Sequence, residues 1–266
     1  VLFRGRLPVH AKGYMTHLIT DASIRFIERN KERPFFLLVS HETPHFPFQG
    51  PGDENKTVDA TNWTTPDAPT YVAMLEDLDH EVGRVLTSLD EHDLAEDTLV
   101  VFVSDNGGFA PAANMGPLKG AKSTTFEGGI RVPLILRWPG KIEAGTTSEQ
   151  VCATFDLTRS FLKLAGSFTF PGRLDGFDLV GHLTRKKPDF PRTLYWRGKR
   201  GERIWSAVRD GDLKYVRKVE GETEDWLYDL SADLGEEHDL SQSRPKDLAR
   251  LKKLLADWER KVKPVR

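Results

Sequence analysis

The chain holds one cysteine in 266 residues, no long apolar run, and almost no excess of either charge. The single Cys152 rules out a disulfide within the chain and leaves the compartment open, whether periplasmic, secreted or cytoplasmic. Charged residues are frequent, at 29%, yet 38 Lys and Arg stand against 40 Asp and Glu, a formal net charge of −2. With no broad basic field, neither nucleic acid nor an anionic membrane surface is an expected partner. No stretch approaches the ~20 apolar residues of a membrane-crossing helix. There is no internal repeat, no low-complexity segment and no G-x-S-x-G nucleophile elbow. Neither an initiator Met nor a charged-then-apolar leader precedes Val1-Leu2-Phe3-Arg4, so a piece of something longer is expected. Asn55-Lys56-Thr57 and Asn62-Trp63-Thr64 have the form of glycosylation sequons, a pattern that chance often produces.

What is present centres on Leu99–Pro133. Leu99, Val100, Val101, Phe102 and Val103 form a short apolar run of the kind that makes a strand covered on both faces. It ends in Ser104-Asp105-Asn106-Gly107-Gly108, and the carboxyl end of a buried strand is where open α/β sheets hold ligands. Asp105 offers a carboxylate and Asn106 a side-chain carbonyl, hard oxygen donors suited to calcium or magnesium. The same residues could instead make an Asx-type turn with no metal.

Around this stretch the pattern alternates between helix and strand. Tyr14 to Asn30 carries a helical apolar face of Leu18, Ile19, Ala22, Phe26 and Ile27, and after Pro34 the run Phe35–Val39 reads as a buried strand. Tyr71, Leu75, Leu78, Val82, Val85, Leu86 and Leu89 step by three and four, with Glu76, Asp77, Asp79 and Glu81 expected on the solvated side. Leu134–Leu136 reads as an inner strand and Asp156–Ala165 as a helix. From Arg192 the rhythm shortens to strands at Thr193–Trp196, Ile204–Arg209, Lys214–Val219 and Trp226–Asp229, with Asp210-Gly211 as a hairpin turn. Leu248, Leu251, Leu254, Leu255 and Trp258 mark a last helix packed on that sheet. His41-Glu42-Thr43-Pro44-His45 matches the zinc-protease signature H-E-x-x-H literally. That chemistry needs both imidazoles on one face of a continuous helix, and Pro44 inside the motif argues against a helix there.

Asp105-Asn106-Gly107-Gly108, followed by Lys119-Gly120-Ala121-Lys122-Ser123-Thr124-Thr125-Phe126-Glu127-Gly128-Gly129-Ile130-Arg131-Val132-Pro133, resembles the sulfatase family. Members of that family carry a D-N-G turn and then a G-x-K-x-T-x-x-E-G-G-x-R-x-P segment. The resemblance implies that Asp105 and Asn106 are two ligands of calcium, or of magnesium or another divalent metal, and that Lys122 faces the sulfate ester. Phe35-Phe36-Leu37-Leu38 and then Thr43-Pro44-His45-Phe46-Pro47 is similar to the family's apolar strand followed by P-H-x-P. That points to His45 as a second contact to the ester, able to handle the leaving-group proton. His41 is either its neighbour at the substrate or a structural residue. Lys119 and Arg131 are expected to be solvated or structural. Leu174-Asp175-Gly176, Arg209–Tyr215, Leu227–Leu230 and Glu236–Leu240 extend the resemblance to the C-terminal part, where His238 is read as part of a cap or turn. The implied architecture is α/β: a mixed, largely parallel sheet flanked by helices, as in the alkaline phosphatase and sulfatase fold, over residues 1–190. A small antiparallel subdomain with a helix follows over 191–266.

The departures are as informative. The family's nucleophile is a Cys or Ser converted to formylglycine within C-x-P-x-R or S-x-P-x-R, and Val151-Cys152-Ala153-Thr154-Phe155 has neither the Pro nor the Arg. No Ser stands in such a motif, and the N-terminal Asp-Asp pair that would supply further metal ligands is also missing. Cys152 reads as a small buried apolar residue. The expected function is cleavage of small-molecule sulfate monoesters, with little turnover from this chain alone and at most weak hydrolysis of activated esters. Two alternatives stand beside it. One is a non-catalytic piece that associates, with a second copy or another partner, through an exposed sheet edge. The other is a phosphate or phosphonate ester hydrolase of the same superfamily.

Overall fold

The computed structural model describes residues 2–53, 55–57, 59, 61, 68–167, 172 and 174–262. The Asn62-Trp63-Thr64 sequon lies outside them. The chain divides into two compact units, one of Val1–Val100 with Phe109–Asn114 and one of Val101–Gly108 with Met115–Arg266.

In the first unit, β1 (Leu2–Arg4) and β2 (Leu7–Val9) pair antiparallel across a two-residue turn, with Arg4 opposite Leu7. Helices α1 (Met15–Asn30) and α2 (Ala68–Glu91) pack on each other. Both helices form where the apolar spacing places them, and their buried faces mix expected apolar residues, Ile27 on α1 and Tyr71 and Leu89 on α2, with polar ones. Helix α1 buries Thr16, Thr20, Ser23, Ile27 and Asn30, while Ala22 is exposed. Small polar residues suit a close helix contact when their polar atoms turn back to the backbone. Ser23 Oγ donates to Ile19 O at 2.8 Å and Asn30 Nδ2 to Phe26 O at 2.7 Å. On α2 the expected solvated acids split: Glu76 and Asp79 are exposed, whereas Glu81 is only 2% exposed. Glu81 is paired inward by Arg84, whose Nη1 sits 2.7 Å from it and whose Nη2 lies 2.7 Å from Asp21, and His17 Nε2 is 2.8 Å from Asp77.

The expected strand at Phe35–Val39 does not form among the described residues. Phe36 is 66% and Leu38 77% exposed. A strand exists only through its ladder, and no ladder involving this run occurs among the described residues.

The second unit contains β3 (Val100–Val103, from Val101 onward), α3 (Glu127–Ile130), β4 (Leu134–Arg137), α4 (Thr154–Leu164) and α5 (Leu179–Thr184). Strands β3 and β4 pair, and each leaves an apolar residue open, Phe102 at 40% and Ile135 at 61%, so the run does not have two covered faces. Helix α4 starts with one arm of a capping box, Asp156 Oδ2 accepting from Ala153 N at 2.7 Å. The same fully buried carboxylate takes the Arg192 guanidinium in a two-pronged pair at 2.6 and 3.0 Å.

A four-stranded antiparallel sheet follows, in order β5 (Thr193–Arg200), β6 (Arg203–Asp210), β7 (Leu213–Glu220) and β8 (Glu222–Asp229). Asp210 pairs with Leu213 across Gly211-Asp212, and Gly211 takes φ +62°, as the tight hairpin turn requires. Side chains alternate between two cores. Val208, Tyr215 and Leu227 pack with Leu251 and Leu255 of α6 (Pro245–Lys261). Ala207, Val216 and Tyr228, on the other face, close on Phe126, with Trp196, Trp205 and Trp226 packed around them. Phe126 belongs to the glycine-rich segment before α3. The small sheet is therefore wedged between its own helix and the motif stretch.

Candidate active site

The turn after β3 is held by backbone. Ser104 Oγ donates to Asn106 O at 2.9 Å, and Gly107 N donates to Gly129 O at 3.0 Å. Lys122 N donates to Gly108 O at 3.0 Å. The two halves of the motif stretch, separated in sequence, are thus laced together at Gly107–Gly108 and Lys122–Gly129. The approach is too close for side chains: a Cβ on Gly107 would stand 1.8 Å from Gly128 O, and one on Gly129 would stand 2.3 Å from Thr124 O. Between them, Thr124 Oγ1 donates to Ala121 O at 2.8 Å, and Ser123 adopts φ +76°, a region few residues other than glycine take.

Asp105 is exposed and Asn106 half-buried, and among the described residues neither side chain makes a hydrogen bond or ion pair. The metal-free Asx turn is therefore not what forms, because the Ser104 hydroxyl closes the turn instead. Lys122 is half-buried, and its ammonium has no carboxylate partner among the described residues. A hard cation would find the right donor type in Asp105 and Asn106. Their number falls short of the roughly six to eight oxygens that calcium takes. Among the described residues no group of three or more His, Cys, Asp or Glu could hold a metal.

Behind the turn, α3 is fixed by charge. Glu127 is 3% exposed, and Lys214 of β7 and Glu236 are fully buried. Lys214 Nζ lies 2.7 Å from Glu127 Oε1 and 2.8 Å from Glu236 Oε1. Glu236 Oε2 accepts from Glu127 N at 2.6 Å, and Arg131 Nε reaches Glu127 Oε2 at 2.5 Å. Burial pushes the Glu127 carboxyl up, but Lys214 and Arg131 outweigh it and hold it below the ordinary value. For Glu236, burial prevails over Lys214 and the carboxyl is raised. Lys119 joins the same support, donating to Tyr228 Oη at 3.1 Å and Glu236 O at 3.0 Å and lying over the Phe126 and Tyr228 rings. Lys119 and Arg131 are thus structural. Nothing local marks Lys214, in an expected strand and within the Arg209–Tyr215 stretch, as part of this support.

The first unit carries the two histidines. His41 and His45 do not share a helix, which removes the zinc-protease geometry, and His45 N closes a turn onto Glu42 O at 2.8 Å. Thr43 Oγ1 meets Thr16 Oγ1 of α1 at 2.7 Å, and Tyr14 Oη donates to Gln49 O at 3.0 Å, so the loop is tied at both ends. His45 is exposed, with Nδ1 2.7 Å from Phe46 O. A carbonyl only accepts, so Nδ1 carries the hydrogen and Nε2 is left for other work. Both ring nitrogens of His41 are buried and have no hydrogen-bond partner among the described residues. Burial lowers its basicity, and the charges of Glu81 and Asp77 offset this only in part. Cys152 is half-buried, its thiol raised by burial and then by Asp156, the opposite of an activated nucleophile.

The sulfatase family model matches residues 3–167, more than half of the chain. The chain belongs to the sulfatase family. A second family model, N-sulphoglucosamine sulphohydrolase, C-terminal, matches residues 121–261. The uncharacterized sulfatase YdeN of Escherichia coli strain K12 is 32% identical over 202 residues, which cover 73% of this chain and 36% of that protein. Steryl-sulfatase of Homo sapiens is 35% identical over 183 residues, covering 65% of this chain and 30% of that one. The crystal structure of Ps i-CgsB in complex with k-i-k-neocarrahexaose superposes with a TM-score of 0.81 at 29% identity, covering 94% of this chain and 56% of that chain. This is the fold of the sulfatase and alkaline phosphatase superfamily, α/β with an antiparallel C-terminal sheet. The chain spans about a third of the length of these two sequence relatives. No helix among the described residues is long and apolar enough to cross a membrane.

Proposed function

We propose that the chain carries the metal- and sulfate-binding half of a site that hydrolyses sulfate monoesters of small molecules. The observation that supports this most is the lacing of the Asp105–Gly108 turn to the Lys122–Gly129 segment, which leaves two oxygen donors and one ammonium without partners among the described residues. Asp105 and Asn106 would hold calcium, which when bound would draw charge from the ester oxygens. Lys122 neutralises a sulfuryl oxygen, where charge collects as the S–O bond breaks. By its resemblance to the family's P-H-x-P histidine, His45, with Nδ1 turned to Phe46 O, would offer Nε2 to an ester oxygen. His41, both ring nitrogens buried and without hydrogen-bond partners among the described residues, would be its hydrogen-bonding neighbour. The formylglycine motif is absent from these 266 residues, so this chain is expected to bind better than it turns over.

The test is calorimetric calcium titration of the purified chain, run beside hydrolysis of an aryl sulfate and an aryl phosphate with calcium or chelator. Calcium binding that disappears in Asp105→Ala, with any sulfate-ester turnover lost to chelator, supports the reading. A folded chain that takes up no calcium overturns the metal assignment. Preference for the phosphate would move the substrate class, and a tight dimer without calcium uptake would favour association through a sheet edge.

A further inference from the structure

Helix α3 has four residues, two of them glycine. A helix of this length does not hold itself, since nucleation costs more than so few hydrogen bonds return. Its own apolar content is a single isoleucine, and the core contact at its start is Phe126, which fixes where the helix begins but not how it is turned. Yet it is the surface on which the Asp105–Asn106 turn rests, through Gly107 N to Gly129 O and through a backbone contact with no room for a methyl group. Charge at its first residue holds it. Glu127 uses both carboxylate oxygens and its N–H: Oε1 on Lys214, Oε2 on Arg131, and N on Glu236 Oε2. Lys214 and Glu236 come from the C-terminal sheet and the loop before α6, far along the chain. Both are fully buried, where an ionic group is costly unless its partners are fixed. The next residue is tied as well, Gly128 N donating to Lys119 O at 2.8 Å, and Lys119 in turn donates to Glu236 O.

We propose that Glu127, Lys214 and Glu236 are positioning residues through which the C-terminal sheet sets the place of the Asp105–Asn106 turn and of Lys122. The chain of contacts runs Lys214 and Glu236 to Glu127, Glu127 to α3, and α3 by the Gly129 carbonyl to Gly107. Phe126 before it and the Gly128 N to Lys119 O bond still hold the start of the helix, but without the anchor charge no longer sets its orientation or the place of the Gly129 carbonyl under the turn. The relevance to sulfate-ester chemistry rests on the function proposed above, whereas the positioning itself does not.

The experiment is site-resolved amide hydrogen exchange on the full chain, comparing Glu236→Gln with Leu255→Val. Gln keeps an oxygen for Glu127 N but turns an amide donor toward Lys214. Leu255→Val loosens the core on the far face of the same sheet. Expected for Glu236→Gln is exchange at Gly107 and Lys122 roughly tenfold faster than in the parent, with β6–β7 ladder amides moving far less. Leu255→Val should speed the ladder and turn amides together. Unchanged exchange at Gly107 and Lys122 in folded Glu236→Gln overturns the proposal. So does a change there no larger than in the ladder, which would mean a merely structural role. Lys214→Met is the harsher variant, and if it does not fold, Glu236→Gln decides alone. Calcium titration of the same proteins separates the two readings. A parent that binds no calcium defeats the metal assignment, while the exchange pattern still decides the positioning.

Discussion

Replacing Gly107 with alanine adds one carbon at the tightest backbone approach around the candidate site. The new Cβ would lie 1.8 Å from Gly128 O, where real Cβ contacts essentially never fall under 3.0 Å. The Asp105–Gly108 turn and α3 must therefore part by about 1.2 Å. The neighbour is backbone, so no side chain can swing aside. Parting them stretches the 3.0 Å bond from Gly107 N to Gly129 O beyond hydrogen-bond range. An unmade buried hydrogen bond costs about 1–3 kcal/mol, and overpacking typically costs about 1–3 kcal/mol. Together they place the penalty at roughly 2–6 kcal/mol, limited by the cost of letting the turn open locally. Urea unfolding followed by tryptophan fluorescence would measure it, since Trp196, Trp205 and Trp226 pack around Phe126, next to α3. Calcium titration would read the turn directly, with a loss of affinity of at least about tenfold expected for a ligand pair moved by more than 1 Å. Stability within about 0.5 kcal/mol of the parent together with unchanged calcium affinity would refute the reasoning.

Leu255→Ala should cost about 2–5 kcal/mol, because Leu255 is fully buried between α6 and the sheet; urea unfolding checks it. Asp210 is held below the ordinary carboxylate value by the Thr193 hydroxyl, against some burial, and then by Arg250. A depressed carboxyl contributes stability that is complete above its unfolded value and lost as pH falls through the folded one, so the loss begins below about pH 4. Asp210→Asn should flatten that acid limb in a series of unfolding curves between pH 5 and 2, and an unchanged limb would contradict it.

The C-terminal half was legible for a physical reason. Residues at β6–β8 alternate between two cores, so Ala207 and Val208, Tyr215 and Val216, and Leu227 and Tyr228 each split between the faces. Period-two alternation with an Asp-Gly turn is the strongest local signal a strand pair gives. The helices α1 and α2 were legible as helices and in part by face: Ile27, Tyr71 and Leu89 are buried as expected, whereas Ala22 and Leu75 are exposed. Thr16, Thr20 and Ser23 look solvent-facing by type, and become good interior residues only beside a close helix or with a hydroxyl returned to the backbone. Glu81 looks solvated until Arg84 is seen beside it. Phe35–Val39 had the composition of a strand and lacked what composition cannot supply, a paired neighbour among the described residues. At the site, the oxygen donors Asp105 and Asn106 and the cation Lys122 stood out by motif. The glycines that lace them together are explained by the 1.8 Å and 2.3 Å approaches, which no propensity encodes.

Least legible was the buried charge. Glu127 lies 87 residues from Lys214 and 109 from Glu236, and nothing local to any of the three marks them as partners. Read alone, Lys214 is a lysine beginning a strand, where the ordinary expectation is an ammonium in water. Its full burial makes sense only with both carboxylates in place, because an apolar residue of similar size would often serve stability as well. What an apolar residue would not supply is direction. Two carboxylates and an ammonium at 2.7 and 2.8 Å fix where Glu127 sits. Glu127 fixes where a helix too short to stand alone presents Gly129 O. The energetic cost of burying this lysine is therefore attached to a backbone surface against which the oxygen-donor turn is set.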